Sequence, residues 1–485
     1  MRVTSETYPS NEFPSQESRR EFYDALARKN RKPKWFASYY HRELIRYHRH
    51  WTPKGASVLE IGCGKGNLLA AVQPSRGVGI DFSQAMIEEG GKLHPELDLR
   101  VMDAEELDLE ETFDAVIVSN LVGDLSDIQK SFEKIHRVCR ADTRILITYY
   151  NQIWEPVLKM AEKVGLKTPH LLQNWLSQPD LENILELTDY EVIKGGYKVP
   201  FPLYIPLLTP LLNRTLSVIP IVRNLGLVTY LIARPKPKPV SEKTSPSVTV
   251  LIPCRNEKGN IESAVARTPE MGSHTEILFV DGNSTDGTPE EIERVMEEFG
   301  KDRDIRLLPQ GDGTGKGDAV RKGFAAAKGD ILMILDADLT VPPEDLPKFY
   351  DALVSGKGEF INGTRLVYPM EKQAMRFLNY LGNRFFSAAF TWLLEQRFRD
   401  TLCGTKVLTK QNYEKIAAGR SYFGDFDPFG DFDLIFGAAK LNLKIIEIPI
   451  RYRERTYGQT NISRFSHGML LLRMLPIAFR KLKWL

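Results

Sequence analysis

Two doubly wound α/β domains in tandem are what this 485-residue sequence predicts, and three observations predict them. The chain is longer than the roughly 250 to 300 residues at which one hydrophobic core stops growing and chains divide. In both halves, apolar runs that read as buried parallel strands alternate with helical patterns. Between the halves, residues 235–246 alternate proline with lysine and carry no apolar period, the composition of an extended linker. The expected division is a helical N-terminal extension over residues 1–50, a first α/β domain over 51–234, the linker 235–246, and a second α/β domain over 247–485.

Composition narrows the class. With 42% hydrophobic and 26% charged residues, the chain is an ordinary globular protein, neither disordered nor a polytopic membrane protein. Cys63, Cys139, Cys254 and Cys403 lie far apart and form no C-x-x-C pair, so they read as reduced thiols rather than a zinc or redox site. Residues 1–20 are polar and hold no apolar run of the signal-peptide kind, which predicts a cytoplasmic protein. The most apolar stretch, residues 199–233, is interrupted by five prolines and by Asn213, Arg214, Arg223 and Asn224, which argues against a spanning helix. A formal net charge of +2 gives no reason to expect a nucleic-acid partner. Charge is uneven, however: residues 451–485 carry eight Lys and Arg against Glu454 alone, interleaved with Met, Leu and Phe. That pattern predicts a basic amphipathic C-terminal helix for an anionic membrane surface, and hence a protein held peripherally on the cytosolic face; packing of the same helix on its own domain is the alternative.

The first strand, Ser57-Val-Leu-Glu60-Ile61, runs into Gly62-Cys63-Gly64-Lys65-Gly66, and a helix follows. Glycines at this spacing let the backbone turn tightly and approach a ligand at the carboxyl edge of a sheet. The second strand ends in Asp81, about 20 residues on, where an acid can accept hydrogen bonds from ribose hydroxyls. A third ends near Asp103-Ala104, placing a carboxylate within reach of an adenine amino group. Strands at residues 113–118 and 144–148, with a helix over 128–139 between them, continue the alternation. These residues resemble the S-adenosylmethionine (SAM) set of class I methyltransferases, with a dinucleotide-binding Rossmann domain as the competitor. The resemblance implies a Rossmann-like methyltransferase fold in which Glu60, Gly62, Gly64, Gly66, Asp81, Phe82, Asp103 and Ala104 bind SAM. His136 reads as structural. The apolar, proline-rich residues 200–220 follow the fifth strand, where a hydrophobic or lipid-linked methyl acceptor would enter.

In the second half, Val248-Thr-Val-Leu-Ile252 leads into Pro253-Cys254-Arg255-Asn256-Glu257, and the next strand into Asp281-Gly282-Asn283-Ser284-Thr285-Asp286-Gly287-Thr288. A helix opening with Gly315-Lys316-Gly317 precedes the apolar strand 331–335, which ends in Asp336-Ala337-Asp338. Paired carboxylates at such a strand end suit a divalent cation bridging a diphosphate, whose negative charge grows as a glycosidic bond breaks. Together these motifs resemble family 2 glycosyltransferases. Gly363-Thr364-Arg365, Asp400 to Lys406, Glu447-Ile-Pro449 and Arg455-x-x-Gly458-x-Thr460 are similar to the dolichol/polyprenyl-phosphate mannosyltransferase branch.

By that resemblance the domain has a GT-A nucleotide-sugar transferase fold. Pro253, Arg255, Glu257, Asp281, Lys316 and Asp336 would contact a UDP- or GDP-sugar, and Asp336 with Asp338 would hold Mg²⁺ or Mn²⁺. Asp338, Arg365 and Arg455 would act at the reacting phosphates, with polyprenyl phosphate as acceptor. Gly282 and Asn461 depart from the family pattern. Asp433, in Gly430-Asp431-Phe432-Asp433, either aligns the acceptor or caps a helix. Residues 375–398 read either as a membrane-facing lid or as a core helix. The expectation is a bifunctional hexosyltransferase and methyltransferase; the alternative is transfer to a lipid or glycan hydroxyl, with the first domain a non-catalytic SAM-binding module.

Overall fold

The computed structural model describes residues 15–28, 35–164, 167, 170–171, 173–201, 204–237, 245–313, 315–365, 377–422, 431–453, 455, 457 and 464–484. The chain divides into two compact units, with the boundary between Lys236 and Pro237.

The first unit is built on a seven-stranded sheet: β1 (Ser57–Ile61), β2 (Arg76–Asp81), β3 (Asp98–Val101), β4 (Phe113–Ser119), β5 (Cys139–Tyr150), β6 (Tyr190–Lys198) and β7 (Val228–Pro235). Their order is β3-β2-β1-β4-β5-β7-β6. The first five strands are parallel, and β7 enters antiparallel between β5 and β6. Side chains alternate across the sheet and feed a core on each face: along β4, Val116 and Val118 join one cluster, Ala115 and Ile117 the other. Helices Gln16–Arg28 and Trp35–Trp51 precede the sheet, and Trp51 stacks on Tyr230 of β7 at 4.7 Å between ring centroids.

Three local expectations change here. The helix over 128–139 ends at Ile135 and tightens into a single 3₁₀ turn, His136–Val138. The strand expected at 144–148 runs from Cys139 to Tyr150; its opening residues are polar, so no apolar run announces them. The proline-rich segment lies between β6 and β7, where it forms the helices Leu208–Leu216 and Pro220–Arg223.

The second unit has seven strands as well: β8 (Val248–Cys254), β9 (Thr275–Asp281), β10 (Asp304–Pro309), β11 (Ile331–Ile334), β12 (Phe360–Thr364), β13 (Lys406–Thr409) and β14 (Ile445–Pro449), ordered β10-β9-β8-β11-β13-β12-β14. All pairings are parallel except those of β13. The helix Phe377–Leu394 sends Phe386, Phe390, Leu393 and Leu394 into the core, so its described part is a core helix rather than a lid. The C-terminal helix is Arg464–Leu482. Its Met474 and Ala478 are buried in the same core and Phe479 stacks on Trp392 at 5.6 Å. Arg451, Arg453 and Arg455 precede this helix and Lys483 follows it, so four of the eight tail cations do not belong to it. Among the described residues, no helix is long and apolar enough to cross a membrane.

Candidate active sites

In the first unit the glycine turn forms as the spacing predicts. Gly62, Gly64 and Gly66 have φ of 68°, 53° and 74°, a region that a Cβ atom penalises. A Cβ on Gly62 would come within 2.8 Å of Leu121, whereas one on Gly64 would meet nothing within 4 Å, so the turn is open to a ligand at Gly64. Asp81 holds the turn: its Oδ2 accepts from Gly64 N at 2.8 Å and its Oδ1 from Ser83 N at 2.9 Å. Burial raises its pKa. Glu60 is buried beneath the turn, where Oε2 accepts from Leu69 N at 2.9 Å. Burial pushes its carboxyl up to about 8. Asp103 accepts from Glu105 N at 2.9 Å through Oδ1 and from Gln16 Nε2 through Oδ2, with Ala104 buried beside it.

The sequence reading did not anticipate what the helix Gln16–Arg28 does. Besides Gln16 on Asp103, Asp24 accepts from Ser83 Oγ and from Ala85 N, Tyr23 donates to Asp124 Oδ2 at 2.8 Å, and the Tyr23 ring meets Phe82 edge-on at 5.6 Å. Lys65, inside the glycine turn, donates to Ala27 O at 3.1 Å. One short polar helix thus contacts Phe82 and Asp103 of the predicted cofactor site and Lys65 between its glycines.

At the carboxyl ends of β4 and β5 lies a cavity lined by Asn120, Tyr149, Tyr150, Gln173, Asn174 and Trp175, among others. Tyr40 stacks on Tyr150 at 5.4 Å, Trp175 lies 6.5 Å beyond, and Tyr40 Oη donates to Asn120 Oδ1 at 2.7 Å. Asn120 is the neighbour of Leu121, which packs on Gly62, so cavity and glycine turn adjoin. His136 lies at the opposite end of β5, its ring 5.3 Å from that of Tyr190, a packing role.

In the second unit, polar groups collect at the carboxyl ends of β8, β9 and β11. Asp281 Oδ2 accepts from Ser284 N at 3.1 Å, while Oδ1 is buried and has no hydrogen-bond partner. A buried acceptor left open in this way fits a donor N–H from a bound base. Glu257 accepts from Asn260 Nδ2 at 2.7 Å and from Arg455 Nη1 at 3.1 Å; burial raises its pKa, and Arg455 partly offsets this. Pro253 is half-buried and Arg255 exposed.

After β11, Asp336 Oδ1 lies 2.6 Å from Lys316 Nζ and Asp338 Oδ2 lies 2.7 Å from Arg455 Nη2. Asp338 Oδ1 also accepts from Thr340 N and Oγ1, at 3.1 and 2.8 Å. Burial opposes ionisation of Asp336, yet the charges of Lys316, Lys406 and Arg365 hold its carboxyl below the usual range. A Cβ on Gly404 would sit 1.9 Å from Asp336 Oδ2, so the carboxylate is seated against bare backbone. Two carboxylates two residues apart at a strand end, each holding a cationic side chain, suit a hard divalent ion. No group of three or more metal-ligating side chains exists among the described residues, so such an ion would share its shell with donor phosphate oxygens and water.

Arg365 is gripped by buried Asp400: backbone N at 2.9 Å, Nε at 2.7 Å and Nη2 at 2.8 Å. Burial raises the carboxyl's pKa, but the Arg365 charge and hydrogen bonds outweigh this, and the net shift is downward. Glu447 in turn accepts from Asp400 N at 3.0 Å and from Arg399 N at 2.9 Å, and the guanidinium lies 5.2 Å from the Tyr452 ring. Asp433 instead pairs with Arg420 at 2.5 Å. Gly430, Gly458, Thr460 and Asn461 lie outside the described residues.

Comparison with known proteins finds a different family in each half. Residues 249–407 match the family Glycosyl transferase family 2, and residues 28–194 match Methyltransferase domain. The second half is 29% identical over 230 residues to the Glycosyltransferase AglJ of Haloferax volcanii, covering 47% of this chain and 70% of that one. It is 38% identical over 110 residues to the Dolichol-phosphate mannosyltransferase of Saccharomyces cerevisiae, 22% of this chain and 40% of that one. With the protein of that name from Pyrococcus furiosus the identity is 26% over 242 residues, 49% and 64%. The chain therefore spans only part of these curated relatives. Among solved structures, a putative methyltransferase in complex with the Haloferax volcanii Trm112 activator aligns at TM-score 0.34 and 17% identity over 45% of this chain and 98% of that one. The glucosyl-3-phosphoglycerate synthase of Mycobacterium tuberculosis, solved with Mn²⁺ and UDP, aligns at 0.37 and 17% over 49% and 80%. The chain joins a methyltransferase domain to a family 2 glycosyltransferase domain.

Proposed function

We propose that the second unit transfers a hexose from a UDP- or GDP-sugar to a polyprenyl phosphate, and that the first unit methylates a lipid- or glycan-linked acceptor with SAM. The observation that carries the glycosyl transfer is the state of Asp336 and Asp338, each bearing the cation of a side chain distant in sequence. In this reading Asp336 and Asp338 hold Mg²⁺ or Mn²⁺ against the donor diphosphate, and the ion stabilises the leaving group's charge. The open oxygen of Asp281, with Glu257 and Pro253, receives the base, and Arg255 lies at the rim. Lys316 and Arg455, displaced from the carboxylates, turn to the phosphates. Arg365, fixed by Asp400 and Glu447, presents a preset guanidinium to phosphate oxygens. The acceptor is already anionic, so positioning rather than a general base is what the protein supplies. The pairing of Asp433 with Arg420 supports this choice over a hydroxyl acceptor.

In the first unit, the backbone at Gly64 admits the nucleoside, Asp81 and Asp103 face its ribose and adenine, and Phe82 with Ala104 completes the pocket. The aromatic cavity beyond Asn120 takes the group to be methylated. A lipid acceptor places the protein peripherally at the cytosolic face of a membrane.

The test is nucleotide diphosphate release with a panel of UDP- and GDP-sugars, Mg²⁺ or Mn²⁺ and a short polyprenyl phosphate, alongside Asp338→Ala. Turnover requiring lipid phosphate, metal and Asp338 is expected. Metal-dependent turnover indifferent to lipid phosphate would overturn the acceptor and make Asp433 the next residue to replace.

A further inference from the structure

Among the described residues, the four most exposed aliphatic side chains, Leu207, Ile221, Met160 and Val164, belong to two neighbouring segments of the first unit. Leu207 is 90% and Ile221 83% exposed. Leu225, in the same insertion between β6 and β7, and Val157, Met160 and Val164, spaced three and four apart on one face of the helix Glu155–Lys163 and its end, expose half their surface or more. The two segments are fastened together: Trp154 Nε1 donates to Leu225 O at 2.9 Å and Asn151 Nδ2 to Gly226 O at 2.8 Å. The surface is therefore contiguous, and an apolar area of this kind needs an occupant.

We infer that this surface enters the lipid bilayer and presents the methyltransferase site to it. Three features select a bilayer over a protein partner. The exposed side chains are aliphatic, without the Tyr, Trp and Phe that protein interfaces favour. The most exposed of them stand on tight turns: Leu207 at the start of a helix with φ 65°, Ile221 in a four-residue helix. Protruding aliphatic tips suit insertion between lipids, not a flat contact. Finally, residues 200–226 carry Arg214 and Arg223 and no Asp or Glu, while in residues 155–164 Lys159 and Lys163 balance Glu155 and Glu162, so the surface as a whole is net positive and matches anionic headgroups.

Topology gives the surface its purpose. Val228 pairs with Tyr150 in the β5–β7 ladder and with Lys198 in the β6–β7 ladder. The insertion 199–227 and the helix after β5 therefore both leave the sheet at the carboxyl end of β5, the edge that holds Gly62 to Gly66 and the aromatic cavity. A lipid-linked acceptor lying in the bilayer would meet the methyl-transfer edge directly.

This deepens the lipid-acceptor reading above and is tested apart from it, by flotation of the full-length protein with vesicles of phosphatidylcholine alone or with phosphatidylglycerol, without turnover. Wild type is expected to float with both and more with the anionic mixture. Leu207→Glu/Ile221→Glu should lower the bound fraction at least tenfold in both, and Arg214→Ala/Arg223→Ala only in the anionic one. Unchanged binding of S-adenosylhomocysteine and an unchanged melting profile show that the first variant is folded; Val157→Glu/Met160→Glu repeats the test on the other segment. Vesicle binding unaffected by both apolar pairs, or absent in wild type, overturns the inference. So does a wild-type dimer that the first pair converts to monomer without any vesicle binding. In each of these cases hexosyl transfer to a soluble short-chain polyprenyl phosphate would still stand.

Discussion

Replacing Glu60 with glutamine should flatten the pH dependence of the first unit's stability. Glu60 is buried, and its carboxyl is pushed up from an ordinary value of 4.5 to about 8. An acid whose pKa is raised in the folded state binds more protons folded than unfolded, so stability falls as pH rises between the two values. Below about 4.5 the effect is absent, and above about 8 it is complete. At pH 7 the difference of some 2.5 pH units from the unfolded value corresponds to about 3 kcal/mol, and the full shift to about 5 kcal/mol, both upper bounds. The glutamine side chain in Glu60→Gln keeps an oxygen for Leu69 N but cannot ionise. Wild type and Glu60→Gln should therefore diverge as pH is raised from 5 to 8.5, by on the order of 6 to 12 °C in Tm at pH 7, given about 2 to 4 °C per kcal/mol for a unit of this size. Scanning calorimetry of the full chain, with S-adenosylhomocysteine added to mark the first unit's transition, measures it. Using the change in the gap with pH removes any constant effect of burying an amide. Parallel profiles would refute the argument, because they would mean that Glu60 is not held neutral by burial.

Two further outcomes follow from the second unit. Gly404→Ala forces a methyl group to within 1.9 Å of Asp336 Oδ2, so Mn²⁺ affinity measured by calorimetry should fall at least tenfold while the protein still folds; wild-type affinity would show that the carboxylate has no fixed seat. Asp400→Asn leaves the Arg365 guanidinium without its counter-charge, and breaking a buried pair costs about 3 to 5 kcal/mol, read as a lower urea midpoint for the second unit; an unchanged midpoint would mean that the pair contributes nothing to the fold.

Much of this was legible in the sequence because its signals are local. Gly62, Gly64 and Gly66 declare a turn wherever they occur in that spacing, and Asp336 and Asp338 follow an apolar strand directly. What escaped was contact at long range. Nothing near Asp338 indicates that Arg455, 117 residues later, completes its charge, or that Gln16 reaches Asp103 across 87 residues. The tail misled for a related reason: Arg451, Arg453 and Arg455 added to a count of basic residues, but they precede the helix Arg464–Leu482, and one of them is spent on Glu257 and Asp338. The opening residues of β5 were missed because polar residues in a strand give no period to read.

The pairing of Lys198 with Val228 also bears on how freely this protein can vary. Cross-strand partners have Cα atoms about 4.5 to 5.5 Å apart, so residues 199–227 leave the sheet and return to it through two feet standing side by side. Lengthening, shortening or exchanging the exposed part of this segment pulls on neither strand, provided Val199 and Leu227 keep their places in the core, and closing a longer excursion adds only about 0.6 kcal/mol per doubling of its length. The segment is a replaceable fitting on a fixed mount, through which a new acceptor could be accommodated while the sheet beneath stays as it is.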